Sequence, residues 1–147
     1  MANYALHISD KNIRYTGYDA FDTISSSESL NGEINGKGLG SKNEAIRWLN
    51  KVKKRNPGRF EYELIEGYTS TTLTSPVSFD FIYIDGGHSY ETVKHDYSMV
   101  KDSKAIIFDD WYIPEVEKFL KELETEHTIE YIELSDNSRQ VAILRNY

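Results

Sequence analysis

No cysteine occurs in the 147 residues, so the chain has neither a disulfide framework nor thiolate chemistry. No apolar run approaches the roughly 20 residues that span a bilayer, and no membrane partner is expected. The N-terminus lacks a basic segment followed by an apolar stretch, so it does not read as a secretory signal. Together these absences lead to the expectation of a cytoplasmic protein. Positive charge is also short: 17 Lys and Arg stand against 24 Asp and Glu, a net charge of -7 and a pI of about 5.1. A binder of nucleic-acid phosphates usually shows a basic face. The balance therefore predicts no nucleic-acid partner. One local basic cluster, Lys51, Lys53, Lys54 and Arg55, reads as the solvated end of a helix.

What is present suits one domain, 1–147, with a real core. Residues 1–10 read as the tail of a helix, and IRYTGYDAF (13–21) as a strand entering a loop at Asp19. A long Ser- and Gly-rich loop follows over 22–40. Ser41-Lys-Asn-Glu44 has the form of a capping box. Behind it Ala45, Trp48, Leu49 and Val52 recur at helical spacing up to Pro57-Gly58. FEYELIEG (60–67) alternates like a strand, and FDFIYID (79–85) and KAIIFDD (104–110) are more continuously apolar strands. Tyr90, Val93, Tyr97 and Val100 predict a helix between those two, and Pro114 opens another with Val116, Phe119, Leu120 and Leu123 on its apolar face. IEYIELS (129–135) and RQVAILR (139–145) predict a closing antiparallel hairpin across Asp-Asn-Ser.

Strands alternating with helices imply parallel β-α-β units with right-handed crossovers. In open parallel sheets ligands bind outside the carboxyl ends of the strands. Here the strands end in Asp19, in Asp85 of FDFIYIDGGHSY, and in Asp109-Asp110. All are expected on one edge of the sheet. Gly36-Lys-Gly-Leu-Gly40 looks like a dinucleotide fingerprint, but it follows no strand and lacks P-loop spacing, so it reads as a flexible loop.

Asp-Gly-Gly-His-Ser-Tyr at 85–90 followed by Phe-Asp-Asp at 108–110 resembles the class I S-adenosylmethionine (SAM)-dependent methyltransferases. The nearest branch is the small-molecule O-methyltransferases with a D-G-x-H-x-Y turn, and the resemblance runs over roughly residues 5–145. It implies a three-layer Rossmann-like α/β fold with a mostly parallel sheet and an antiparallel C-terminal strand. It also implies that Asp19 holds the ribose hydroxyls of SAM, since a carboxylate accepts from both hydroxyls of a diol. Gly67, Tyr68, Asp85 and Gly86 would be further cofactor contacts, with Tyr68 stacking near the adenine in place of the family's polar residue. Asp85, Asp109 and Asp110 match the ligands of metal-dependent members. Such oxygen donors suit Mg²⁺, which would lower the pKa of a substrate hydroxyl and orient the oxyanion. Asp85 and His88 would be the catalytic pair, His88 as general base. Trp111 is a candidate for lining the cleft, and His7, His95 and His127 receive no role.

One absence separates this chain from that family: neither the opening strand nor its glycine-rich turn is found. The missing strand would lie between those at 13–19 and 79–85; its loss leaves either a sheet that closes up or two unpaired edges, which invite self-association. The leading expectation is metal-assisted O-methyl transfer from SAM to a small hydroxylated acceptor. The alternatives are a non-catalytic domain of this fold that self-associates or binds a partner, and a metal-dependent hydrolase of a nucleotide-like ligand.

Overall fold

The computed structural model describes residues 10–21, 41–133 and 140–146. The expected helix tail at 1–9, the loop with its Gly-rich motif at 22–40 and the turn at 134–139 lie outside the described residues. The chain divides into two compact units, Met1–Thr72 and Leu73–Tyr147.

The first unit holds strand β1 (Ile13–Asp19), helix α1 (Lys42–Arg55), strand β2 (Phe60–Glu66) and a single helical turn, α2 (Thr69–Thr72). β1 and β2 are parallel and in register from Ile13 opposite Phe60 to Asp19 opposite Glu66. Phe60 is fully buried with Val52 beside it, and Ile13, Tyr15, Leu49 and Tyr62 pack around them. The helix forms where the periodicity predicts, but two details differ. Ser41 makes no side-chain capping bond, and its carbonyl instead accepts from Glu44 N at 2.9 Å. Trp48 does not join the core and is 63% exposed. Leu49 and Val52 already fill the space over Phe60, so the indole is left on the flank.

The second unit holds β3 (Ile82–Ile84), α3 (Tyr90–Val100), β4 (Ala105–Phe108), α4 (Pro114–Leu123), β5 (Ile129–Glu133) and β6 (Gln140–Arg145). Its sheet runs β3-β4-β6-β5, with β3 and β4 parallel and β6 antiparallel to both its neighbours. The closing antiparallel strand is therefore as expected. β3 is shorter than FDFIYID suggested. Phe79 N donates to Ser103 Oγ at 3.1 Å, and Lys104 N donates to the Phe79 carbonyl at 3.1 Å. These bonds tie 79–81 to the turn before β4 rather than to a ladder, and Phe81 is half exposed. Ser89 caps α3 by accepting from Thr92 N, and Pro114 opens α4. Ile106, Phe108, Val116, Leu120, Ala142 and Leu144 make the buried core. Phe108, Phe119 and Tyr97 lie ring against ring at 5.5–6.3 Å.

Among the described residues β1 pairs only with β2, and β3 only with β4.

Candidate active site

Register explains why three carboxylates meet in the second unit. Ile84 and Phe108 are opposite each other as the last residues of two parallel strands, and Asp109 N donates to the Ile84 carbonyl at 2.9 Å. Asp85 and Asp109 must then leave the same edge about one strand spacing, roughly 4.8 Å, apart. Asp110 follows with φ at 51°, a left-handed conformation that Asp adopts more readily than most residues and that turns the chain sharply. Ligand oxygens of Asp85, Asp109 and Asp110 lie within 4.8 Å of one another. Asp109 is buried, and its Oδ1 accepts from Asp110 N at 3.1 Å. His88 Nε2 lies 3.4 Å from Asp110 Oδ2, both side chains mostly covered. Asp85, Gly86, Gly87, His88 and Asp109 line a narrow cleft floored by Val93, Phe108 and Val116.

The two glycines have a packing reason. Neither has the left-handed φ that would demand glycine. A Cβ at Gly86 would meet Asp96 Oδ2 at 3.3 Å, and one at Gly87 would meet Thr92 Cγ2 at 3.2 Å. The turn is pressed onto the first turns of α3. Asp96, a buried carboxylate beneath it, was missed by sequence reasoning. It shares a helix with Val93, Tyr97 and Val100, and no periodicity distinguishes a buried acid there from a solvated one.

The other predicted contacts are gathered at the carboxyl ends of β1 and β2. Gly67 N donates to the Asp19 carbonyl at 3.0 Å, so Asp19, Gly67 and Tyr68 are neighbours. Asp19 also caps its own loop: its Oδ1 accepts from Phe21 N at 2.7 Å, an Asx turn. Gly67 has φ at 132°, and a Cβ there would meet Thr72 Cγ2 at 2.8 Å, so glycine is required by backbone and space alike. Tyr68 is 39% exposed, available as an aromatic face.

Trp111, the residue after the acid pair, meets Tyr131 edge to face at 4.8 Å. Burial, then the Glu124 carboxylate that accepts from its hydroxyl, pushes the Tyr131 pKa up to about 12. An acid whose folded pKa exceeds its unfolded value near 10 stabilises the fold fully below pH 10 and loses that contribution as pH rises toward 12. Absorbance titration is expected to show one tyrosine ionising about two units late, and Tyr131→Phe to remove that step. A titration in which every tyrosine ionises near 10 contradicts it.

No protein-family model matches the chain, and no curated protein sequence does. Solved structures do. The delta-N METTL16 methyltransferase domain superposes with a TM-score of 0.50 at 17% identity, covering 95% of this chain and 75% of that one. SAH-bound PaMTH1, a Podospora anserina methyltransferase, gives 0.45 at 19%, over 91% and 71%. PH1948 of Pyrococcus horikoshii, assigned to the RNA methyltransferases, gives 0.42 at 16%, over 98% and 77%. The fold is that of a methyltransferase domain, as the resemblance implied. The expectation of a small-molecule acceptor with nucleic acid excluded is corrected: among the solved structures of this fold, PH1948 is itself described as an RNA methyltransferase. The exclusion rested on net charge. That sum averages over the surface and hides the cations collected on α1.

Proposed function

We propose that the chain is one SAM-dependent methyltransferase domain that methylates an acceptor hydroxyl, with divalent-cation assistance. The observation that carries this reading is the convergence of Asp85, His88, Asp109 and Asp110 at the carboxyl edge of parallel strands in a methyltransferase fold. SAM supplies an electrophilic methyl group when bound. Asp19, whose carboxylate sits at an exposed strand end, is the residue assigned to the ribose diol, with Tyr68 against the base. Gly67 lets the backbone turn between them.

The three acids fit a hard cation. They offer oxygen donors only, close enough to share one ion, with Asp109 held by burial and a backbone bond. Such an ion supplies Lewis acidity toward an acceptor oxygen. Asp110 lies 3.4 Å from His88 Nε2; a proton on that nitrogen would face the carboxylate and leave the Nδ1 lone pair to take the acceptor proton. A hydroxyl needs such a base, whereas a neutral amine brings its own lone pair, so the pair favours O-methylation.

Calorimetric titration with SAM and with SAH, each with and without Mg²⁺, tests the reading. Binding of both is expected, with Asp85→Ala and Asp109→Ala removing the Mg²⁺ response and Asp109→Ala sparing the apo titration of SAM to within a few-fold. Absence of heat from either ligand would sink the proposal; an unchanged Mg²⁺ response in the variants would remove its metal half.

A further inference from the structure

We infer that α1 docks a single-stranded nucleic acid through the face formed by Arg47, Trp48, Lys51, Lys54 and Arg55. At 100° per residue these five occupy one continuous arc of the helix, opposite the flank that carries Lys42 and Lys53. The two flanks differ in how their charge is met. Lys42 pairs with Glu66 and Lys53 with Glu61, both on β2. On the other flank Arg47 meets only Glu44, at 3.6 Å and with both side chains open to solvent. Among the described residues, Lys51, Lys54 and Arg55 have no ion pair. Cations without partners are therefore concentrated on one face of a chain whose net charge is -7.

The second observation is Trp48. A 63% exposed tryptophan buries little for the fold, and it stands at one edge of the stripe with Lys51 Nζ 4.5 Å from the ring centroid. Phosphates on cations and a base stacked on an aromatic are the two contacts by which proteins hold single strands without reading sequence. An acidic protein partner would use the charges and have no use for the ring. A duplex would offer phosphates and keep its bases stacked inside. Nothing on the face touches a sugar selectively, so RNA and DNA strands should bind alike.

Fluorescence anisotropy of a labelled single-stranded RNA oligonucleotide, titrated with the full chain and without SAM, tests this apart from any methyl transfer. Binding should weaken with salt. Each neutralised phosphate contributes about -0.7 to the log–log slope, so four cations set a limit of roughly -2.8. The triple variant K51E/K54E/R55E should bind at least about tenfold more weakly with a flatter slope. W48A should lose about fivefold or more with the slope unchanged, since stacking carries no counterion release. Both changes are solvent-exposed, and unchanged circular dichroism would certify the fold. No binding at about 50 mM salt, equal binding by the triple variant, a duplex bound more tightly than the single strand, or competition by polyglutamate as strong as by RNA would each overturn the inference. None of these outcomes touches the assignment of SAM binding.

Discussion

His88→Ala is expected to lower the rate of methyl transfer by about 10²–10⁴-fold, the usual worth of a positioned general base, while leaving SAM affinity within a few-fold. The imidazole is held by Asp110 at 3.4 Å and shielded from bulk water. Its removal therefore takes away the proton acceptor and no part of the cofactor contacts assigned to Asp19 and Tyr68. His88→Gln refines the test, because an amide can still donate to Asp110 and cannot take a proton at neutral pH. Single-turnover rates with saturating SAM should be equally low in both variants. A rate within about threefold of the parent in either would show that the acceptor needs no base from this residue.

Phe108→Ala is expected to cost about 3–5 kcal/mol, the range for deleting a buried phenyl ring. Against a total of about 5–15 kcal/mol this leaves the second unit close to unfolding. Phe108 is 1% exposed, pairs with both Ile84 and Ala142 across the sheet, and meets Tyr97 and Phe119 ring to ring. Its neighbours are held in strands and helices, which limits how far they can move to fill the space. Urea titrations of parent and variant should differ in midpoint with similar slopes. A loss below about 1 kcal/mol would mean that the core collapses around the cavity. The residue after Phe108 is Asp109, so variants that survive folding should also hold the proposed cation less firmly.

Both predictions rest on features that sequence reasoning reached unequally. The strand ends at Asp19, Asp85 and Asp109 were legible because an apolar run that stops at an acid marks a boundary by composition alone. The meeting of His88 with Asp110 was legible only as a shared edge. The pair contact depends on the positive φ at Asp110, which no local pattern announces. Trp48 shows the limit of periodicity. Its spacing placed it with Leu49 and Val52, and helical spacing admits a wide apolar stripe. The partner surface decides how much of that stripe is used, and β2 offers room for Leu49 and Val52 over Phe60 and no more. The capping box at Ser41 failed in a similar way: the residue types allow the bond, and the backbone satisfies Glu44 N instead. β3 was overestimated because Phe79 and Phe81 look like strand residues, while Ser103, 24 positions away, claims the Phe79 backbone.

The left-handed turn at Asp110 carries a consequence for how such a chain would change under selection. A side chain other than glycine pays about 1 kcal/mol or more to stay in that region, and asparagine and glycine pay least. Pressure for heat tolerance alone would exchange the carboxylate for an amide or a hydrogen, and the protein would keep its shape. An acid kept there for the proposed cation site would run against that gradient, so at position 110 endurance and the proposed chemistry would compete.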